Sequence, residues 1–170
     1  MGPPRTNWEA IPLARPMPDT RRVGLWPDGG GPQGLGPASV VNMGNPHAVF
    51  FVPDLAIVDA ADLGAKVEVH PMFPEKANVT FAQVIARDDV VARVWERGVG
   101  LTLACGSAAC ATLVAGLRAG LMERAGTVRL PGGELVIEWR AADDHVLMTG
   151  PVELEGEFVL DDALFEAAAS

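Results

Sequence analysis

Residues Gly106 to Arg118 constrain this chain most. The run GSAACATLVAGLR reads as a helix that is apolar or small on nearly every side, with no polar face to turn toward water. Such a helix is stable only when other elements cover most of its surface. Arg118 suits its last turn and Gly120 its cap. At the other end stands Cys105, preceded by a Gly-rich stretch. Unpaired N–H groups and the positive end of the helix dipole at that point favour a thiolate and bind anions. Cys105 is therefore a candidate acid/base, and the N–H groups of Gly106 and Ser107 a candidate carboxylate cradle. Position alone leaves a buried, inert cysteine open as the alternative.

Short strand signals surround the helix. Ala38 to Met43 and Ala48 to Val52 read as strands joined by a turn at Gly44-Asn45-Pro46-His47. Asp54 to Val58 suggests a short helical turn, Asp62-Leu63-Gly64 a helix end, and Lys66 to Val69 a short alternating segment. Asn78 to Arg87 and Val90 to Glu96 read as strands, and Gly98 and Gly100 as a break before Cys105. Thr127 to Leu130, Glu134 to Arg140 and Val146 to Thr149 form an expected antiparallel meander. Gly156 to Asp161 reads as a last strand, and Ala163 to Ala169 as a frayed helix. Many strands around one buried helix make an α+β domain.

Composition narrows the function classes. With 49% hydrophobic residues in 170, the chain is expected to fold around a sizeable core. A formal net charge of −9 argues against nucleic acid as a partner. No apolar stretch reaches the roughly 20 residues that span a bilayer, and no secretory signal is apparent, so no membrane association is expected. The two cysteines, Cys105 and Cys110, lie on one helix with divergent directions, which excludes a disulfide and suits a reducing cytoplasm.

Several motif matches carry no function. Met1-Gly2-Pro3-Pro4-Arg5-Thr6 fits a myristoylation pattern only by letter, with prolines where the pattern is permissive. Gly29-Gly30-Gly31-Pro32-Gln33-Gly34 spells a dinucleotide fingerprint but sits in a proline-bounded loop. His47, His70 and His145 lack metal-ligand spacing, so no metal is expected. The only lysines, Lys66 and Lys76, lie in no active-site-like context, which argues against pyridoxal phosphate. Three further positions remain ambiguous on the residues alone. His47 is either a turn histidine or a group that tunes a thiol, Glu96-Arg97 either a solvated rim or a recognition pair, and Asn78 a turn residue or a contact.

A series of ordered motifs resolves much of this. Met43-Gly44-Asn45-Pro46-His47, Asn78-Val79-Thr80-Phe81, Arg93 to Gly100, Ala104 to Ala111, Pro131-Gly132-Gly133 and Met148 to Val152 occur in sequence. Together they resemble the diaminopimelate epimerase family over nearly the whole chain. The resemblance implies two pseudo-symmetric halves, each a curved, mostly antiparallel sheet wrapped around a central buried helix. It implies cofactor-independent proton transfer between two thiols, one from each half, interconverting LL- and meso-diaminopimelate in lysine and peptidoglycan-precursor biosynthesis. Cys105 would be the second-half thiol. Gly106 and Ser107 would hold the reacting carboxylate, while Asn45, Asn78, Glu96 and Arg97 would contact substrate, and His47 and Glu96 would tune the thiol pKa values. Leu101 and Ala108 depart from the family's usual residues.

By the same resemblance, residues 1–37 correspond to an inter-half segment and a Gly/Pro loop, 38–162 to the second-half domain, and 163–170 to a tail. The family's first half, with its own cysteine, has no counterpart here. Cys110 cannot substitute, because it lies about 7.5 Å along the same helix and faces elsewhere. The expectation is a chain that is inactive alone, needs a first half or a second copy, and exposes apolar surface. The alternatives are a carboxylate- or amino-acid-binding module without turnover and half of a related two-cysteine racemase; the Asn45, Asn78 and Arg97 set, suited to a second amino-acid end, speaks against the racemase.

Overall fold

Two crossovers organise the sheet. In the computed structural model, which describes residues 1–27 and 30–161, strand β1 (Ser39–Asn42) pairs antiparallel with β2 (Pro46–Phe51). The chain then forms a 3-10 turn at Leu55–Ile57 and helix α1 (Ala60–Glu68), and returns as β3 (Asn78–Ala86), parallel to β2. Strand β4 (Asp89–Glu96) runs back against β3. After the short β5 (Gly100–Thr102), helix α2 (Gly106–Arg118) carries the chain to β6 (Ala125–Leu130), parallel to β4. Strands β7 (Gly133–Trp139) and β8 (Val146–Thr149) complete the meander. The order is β1-β2-β3-β4-β6-β7-β8, with β5 beside β4.

The sheet is therefore mixed, not mostly antiparallel as expected. Its parallel pairs arise wherever a helix intervenes, because a parallel return needs a long crossover. Both crossovers step the same way along the sheet, but β4 opposes β3 in direction. Crossovers of one right-handed sense then put the two helices on opposite faces.

Burial follows that division. Val41, Val49, Ala82, Val90, Ala92 and Val94 meet α2 in one core. Their strand neighbours Val40, Ala48, Phe50, Val79 and Phe81 meet α1 in the other. This is the period-two alternation of pleated strands that are covered on both sides. Every residue of α2 from Ala108 to Gly116 is buried. The helix touches β1, β2, β3, β4, β6, β7 and β8. Its small side chains permit that approach. At Gly116 a Cβ would come within 2.7 Å of Met122.

The N-terminal residues belong to this unit. Ile11, Leu13, Val23, Leu25 and Leu35 are buried in the α1-side core. Arg5 exchanges backbone hydrogen bonds of 2.9 Å with Asn42 of β1, and Gly2 accepts one of 3.2 Å from Val146 at the start of β8. The segment between them thus joins the two outer strands of the sheet.

Several local expectations change. Strand β2 begins at Pro46, so His47 lies in the sheet and not in a turn. Helix α1 continues through Gly64 to Glu68, and Lys66 to Val69 is not a strand. Gly64 is present for contact instead of termination, since a Cβ there would lie 2.5 Å from Trp95 Cβ. The Gly98 and Gly100 break is a hairpin, with φ of 75° and 110° at the two glycines, and it pairs β5 to β4. Gly156 to Asp161 forms no strand and is exposed. Ala163 to Ala169 lies outside the described residues.

Gly64→Ala tests the close approach of α1 to β4. Alanine favours a helix interior by about 1 kcal/mol over glycine, so an open site would be stabilised. The collision with Trp95 should instead destabilise the fold by roughly 1–3 kcal/mol in urea titration.

Candidate active site

The end of α2 that carries Cys105 is where the separate sequence motifs meet. Cys105 is the N-cap residue, with extended backbone (φ −150°, ψ 107°). The first intrahelical hydrogen bond runs from Ala109 N–H to Cys105 O at 3.0 Å. The N–H groups of Gly106, Ser107 and Ala108 therefore precede the helical ladder and have no carbonyl within it. Gly106 also lies against the end of β8, where a Cβ would come within 2.9 Å of Met148 Sδ.

A chain of polar contacts leads inward from the thiol. Cys105 Sγ is 3.5 Å from Ser107 Oγ. Asn45 Nδ2 donates to the same oxygen at 3.5 Å. Asn45 Oδ1 then lies 2.9 Å from His47 Nε2. Because the Asn45 oxygen accepts, Nε2 carries the proton and Nδ1 does not. His47 is fully buried, and Nδ1 has no partner.

That burial, aided by the charge on Arg97, pushes the His47 pKa down to about 3. The imidazole is neutral at physiological pH and brings no positive charge to the thiol. Its link to Cys105 is the oriented amide of Asn45 and the hydroxyl of Ser107.

The sheet supplies the other side. His47 on β2 is the register partner of Asn78 on β3. Asn78 is buried and spans two elements, donating to Pro46 O at 3.2 Å and accepting from Arg97 N–H at 3.1 Å. Arg97 Nη1 reaches Glu75 O at 2.7 Å, which leaves its other donors open. Glu96 ends β4 close enough to Cys105 to act on its ionisation. Asn45, His47, Asn78, Glu96, Arg97, Cys105, Gly106 and Ser107 are thus brought to one end of the fold.

The helix N-terminus does not make Cys105 a ready thiolate. Burial raises its pKa above the ordinary thiol value. Ser107 and the Ala108 N–H oppose the rise, and the Glu96 carboxylate adds to it. Dehydration and a nearby negative charge outweigh the amide dipoles, so the resting group is a protonated thiol. Cys110 is fully buried in the core, with its pKa raised to about 11 by burial, and has no access to this site.

Two contributors escaped the sequence reading. One is the Ser107 hydroxyl, considered earlier only for its backbone. The other is Glu68, a buried carboxylate at the end of α1. It accepts from Trp95 Nε1 at 2.7 Å, Gly98 N at 3.0 Å and Lys76 Nζ at 3.2 Å, and so pins the hairpin that carries Glu96 and Arg97. The Trp95 hydrogen bond leads the causes that lower its pKa. Glu68 is 27 residues from Trp95, and no spacing signals the pair. Among the described residues no cluster of His, Cys, Asp and Glu could hold a metal ion.

Two measurements follow from these ionisations. Alkylation of Cys105 by iodoacetamide, followed by mass spectrometry against pH, should have its midpoint above that of a free thiol. Glu96→Gln should lower that midpoint and Ser107→Ala raise it; an unshifted midpoint in both variants would contradict the assignment. His47 acts on stability. Its folded pKa of about 3 lies below the unfolded value of 6.5, so the unfolded chain takes up the proton first. The His47 contribution is complete above pH 6.5 and is lost as pH falls toward 3. Between pH 6.5 and 5 the loss should be about 2 kcal/mol in urea titration, and it should vanish in His47→Gln.

Curated relatives resemble this chain over nearly its whole length. The chain is 55% identical over 170 residues to the diaminopimelate epimerase of Rhodopseudomonas palustris (strain BisB18), covering 100% of this chain and 59% of that protein. It is 57% identical over 166 residues to the diaminopimelate epimerase of Methylorubrum populi, covering 97% of this chain and 56% of the relative. The chain thus spans somewhat over half the length of the curated relatives it matches. Among solved structures, a PhzF-family phenazine biosynthesis protein from Bacillus anthracis aligns with a TM-score of 0.46 at 21% identity, over 63% of this chain and 35% of that one. That likeness supports no argument about this chain. The sequence profile of diaminopimelate epimerase matches residues 39–155, a span holding every residue gathered at the Cys105 end of α2, and the chain belongs to that family.

Proposed function

We propose that this chain supplies one side of a diaminopimelate epimerase active site, with Cys105 as one of two thiol acid/bases. The observation that carries the reading is the convergence of Cys105, Ser107, Asn45 and His47 in one contact series at the N-terminus of α2. The α-carboxylate of the substrate sits on the Gly106 and Ser107 N–H groups. Those dipoles stabilise the negative charge that grows as the α-carbon loses its proton. A curved sheet closed around α2 is the half-fold such a site requires.

Inversion needs a base on one face of the α-carbon and an acid on the other. Cys105, protonated at rest, is the acid. A thiolate on the opposite face takes the α-proton and becomes a thiol. The electron pair left on carbon takes the Cys105 proton, and Cys105 is left as a thiolate. The reverse reaction exchanges the roles. Glu96 faces the substrate ammonium, and ion pairing with it relieves the negative potential that holds the Cys105 pKa up. The open donors of Arg97 and the remaining N–H of Asn78 bind the distal amino-acid end, with Asn45 between the two ends. No cofactor or metal takes part.

The opposite thiolate cannot be Cys110, which is sealed in the core. It comes from outside the described residues, on a first half or a second copy. Val99, Leu101 and Leu103, in the segment leading into Cys105, and Met148, beside Gly106, are exposed apolar residues near that end. Together they form the contact surface for the partner. Leu101 lies within it, so its departure from the family's usual residue affects the contact and not the proton transfer. A net charge of −9 disfavours nucleic acid as that partner. Free cysteines suit a reducing cytoplasm, and among the described residues no helix is long and apolar enough to cross a membrane.

The test mixes the chain with a first-half polypeptide from the Rhodopseudomonas palustris relative, in D2O with LL-diaminopimelate. Deuterium should enter the α-carbon with inversion, and Cys105→Ala should reduce the rate at least about a hundredfold. The chain alone should give no inversion. Binding of diaminopimelate by calorimetry without exchange in the mixture would favour a carboxylate-binding module instead.

A further inference from the structure

The end of α2 opposite Cys105 carries polar groups that the proposed chemistry does not use. We propose that the cavity there, lined by Arg22, Ser39 and Arg118, binds a small oxyanion with a short apolar body. Its volume is about 350 Å³, and Phe51 and Leu121 form apolar parts of its wall. Arg118, in the last turn of α2, is held from behind. Its Nη1 donates to Val40 O at 3.1 Å and its Nη2 to Thr20 Oγ1 at 2.7 Å. A guanidinium has five N–H donors, so its position is fixed while donors remain.

The second observation is Ser39. Its side chain is 2% exposed, yet Oγ has no hydrogen-bond partner. An unpaired buried hydroxyl is destabilising, and an oxyanion seated against Ser39 would accept its hydrogen bond. Arg22 lines the same cavity, is exposed, and has no ion-pair partner among the described residues. Asp19 also lines it, but both carboxylate oxygens are engaged by Arg21, at 2.9 and 3.0 Å. The local balance is cationic in a chain whose net charge is −9. Carboxylate and phosphate ligands share the chemistry this site recognises.

The site lies at the far end of the helix from Cys105, so its test is independent of the epimerase reading. The 15N-labelled chain is titrated with phenyl phosphate, inorganic phosphate and benzoate, each against sodium chloride of equal ionic strength. Saturable shifts are expected at the amides of Ser39, Val40, Ala119 and Leu121 and at Arg118 Nε. Binding of phenyl phosphate but not benzoate assigns a phosphate ligand; binding of both assigns the wider oxyanion class. Ser39→Ala should weaken binding roughly tenfold. Arg22→Gln, an exposed change that leaves the fold intact, should weaken it about threefold. Shifts no larger than with chloride, shifts centred on Gly106 and Ser107, or equal affinity in both variants would overturn the proposal.

Discussion

The burial of α2 is the constraint on which the structure rests. A helix without a polar face must be covered, and strands β1 to β4 and β6 to β8 pack against it. Its N-terminal end, however, cannot be sealed. Its first N–H groups have no carbonyl within the helix, and an apolar cover would leave them unpaired at a cost of a few kcal/mol. The N-terminus of α2 is therefore a place where polar atoms must meet solvent or ligand, and Cys105 stands there. The position of the thiol follows from how an apolar helix has to be packaged.

The polar residues around the thiol are organised by the sheet. His47 and Asn78 are adjacent because β2 and β3 run parallel, which follows from α1 crossing between them. Glu96 and Arg97 arrive together because β4 ends there, and Glu68 ties the ensuing hairpin to α1. A site assembled from backbone register and buried side-chain bonds is pre-organised before any ligand binds. It also explains how neutral groups dominate: His47 is held uncharged by its burial, and its effect on the thiol passes through the orientation of an amide and a hydroxyl.

The sequence made the backbone pattern legible and left the electrostatics hidden. The α2 segment is readable because the twelve residues before Arg118 are all apolar or small. The meander was readable because Pro131-Gly132 and Ala142 to Asp144 punctuate alternating strands. The eight positions proposed for the site come from ordered motifs, and the strand register and helix start gather them at the Cys105 end of α2. Gly64 was misread because a helical glycine can mark an end or a close contact, and only Trp95, distant in sequence, decides between them. Gly-Asn-Pro is turn chemistry and points His47 to a turn, but pairing with Val41 and Asn42 draws the strand back to Pro46. The direction of the Cys105 pKa was out of reach, because dipoles are implied by a helix start whereas dehydration is a property of the assembled neighbourhood.

The parallel register of β2 and β3 restricts how this chain can change over time. Residues 52–77 link the two strands over one face and tolerate added or lost loop residues, since loop length costs little free energy. Within either strand the situation reverses. One inserted residue between Pro46 and Phe51 would rotate all that follows to the other face, exchanging what lies against α2 for what lies against α1. Length variation among relatives should therefore gather in the connections and spare the rungs that hold His47 level with Asn78.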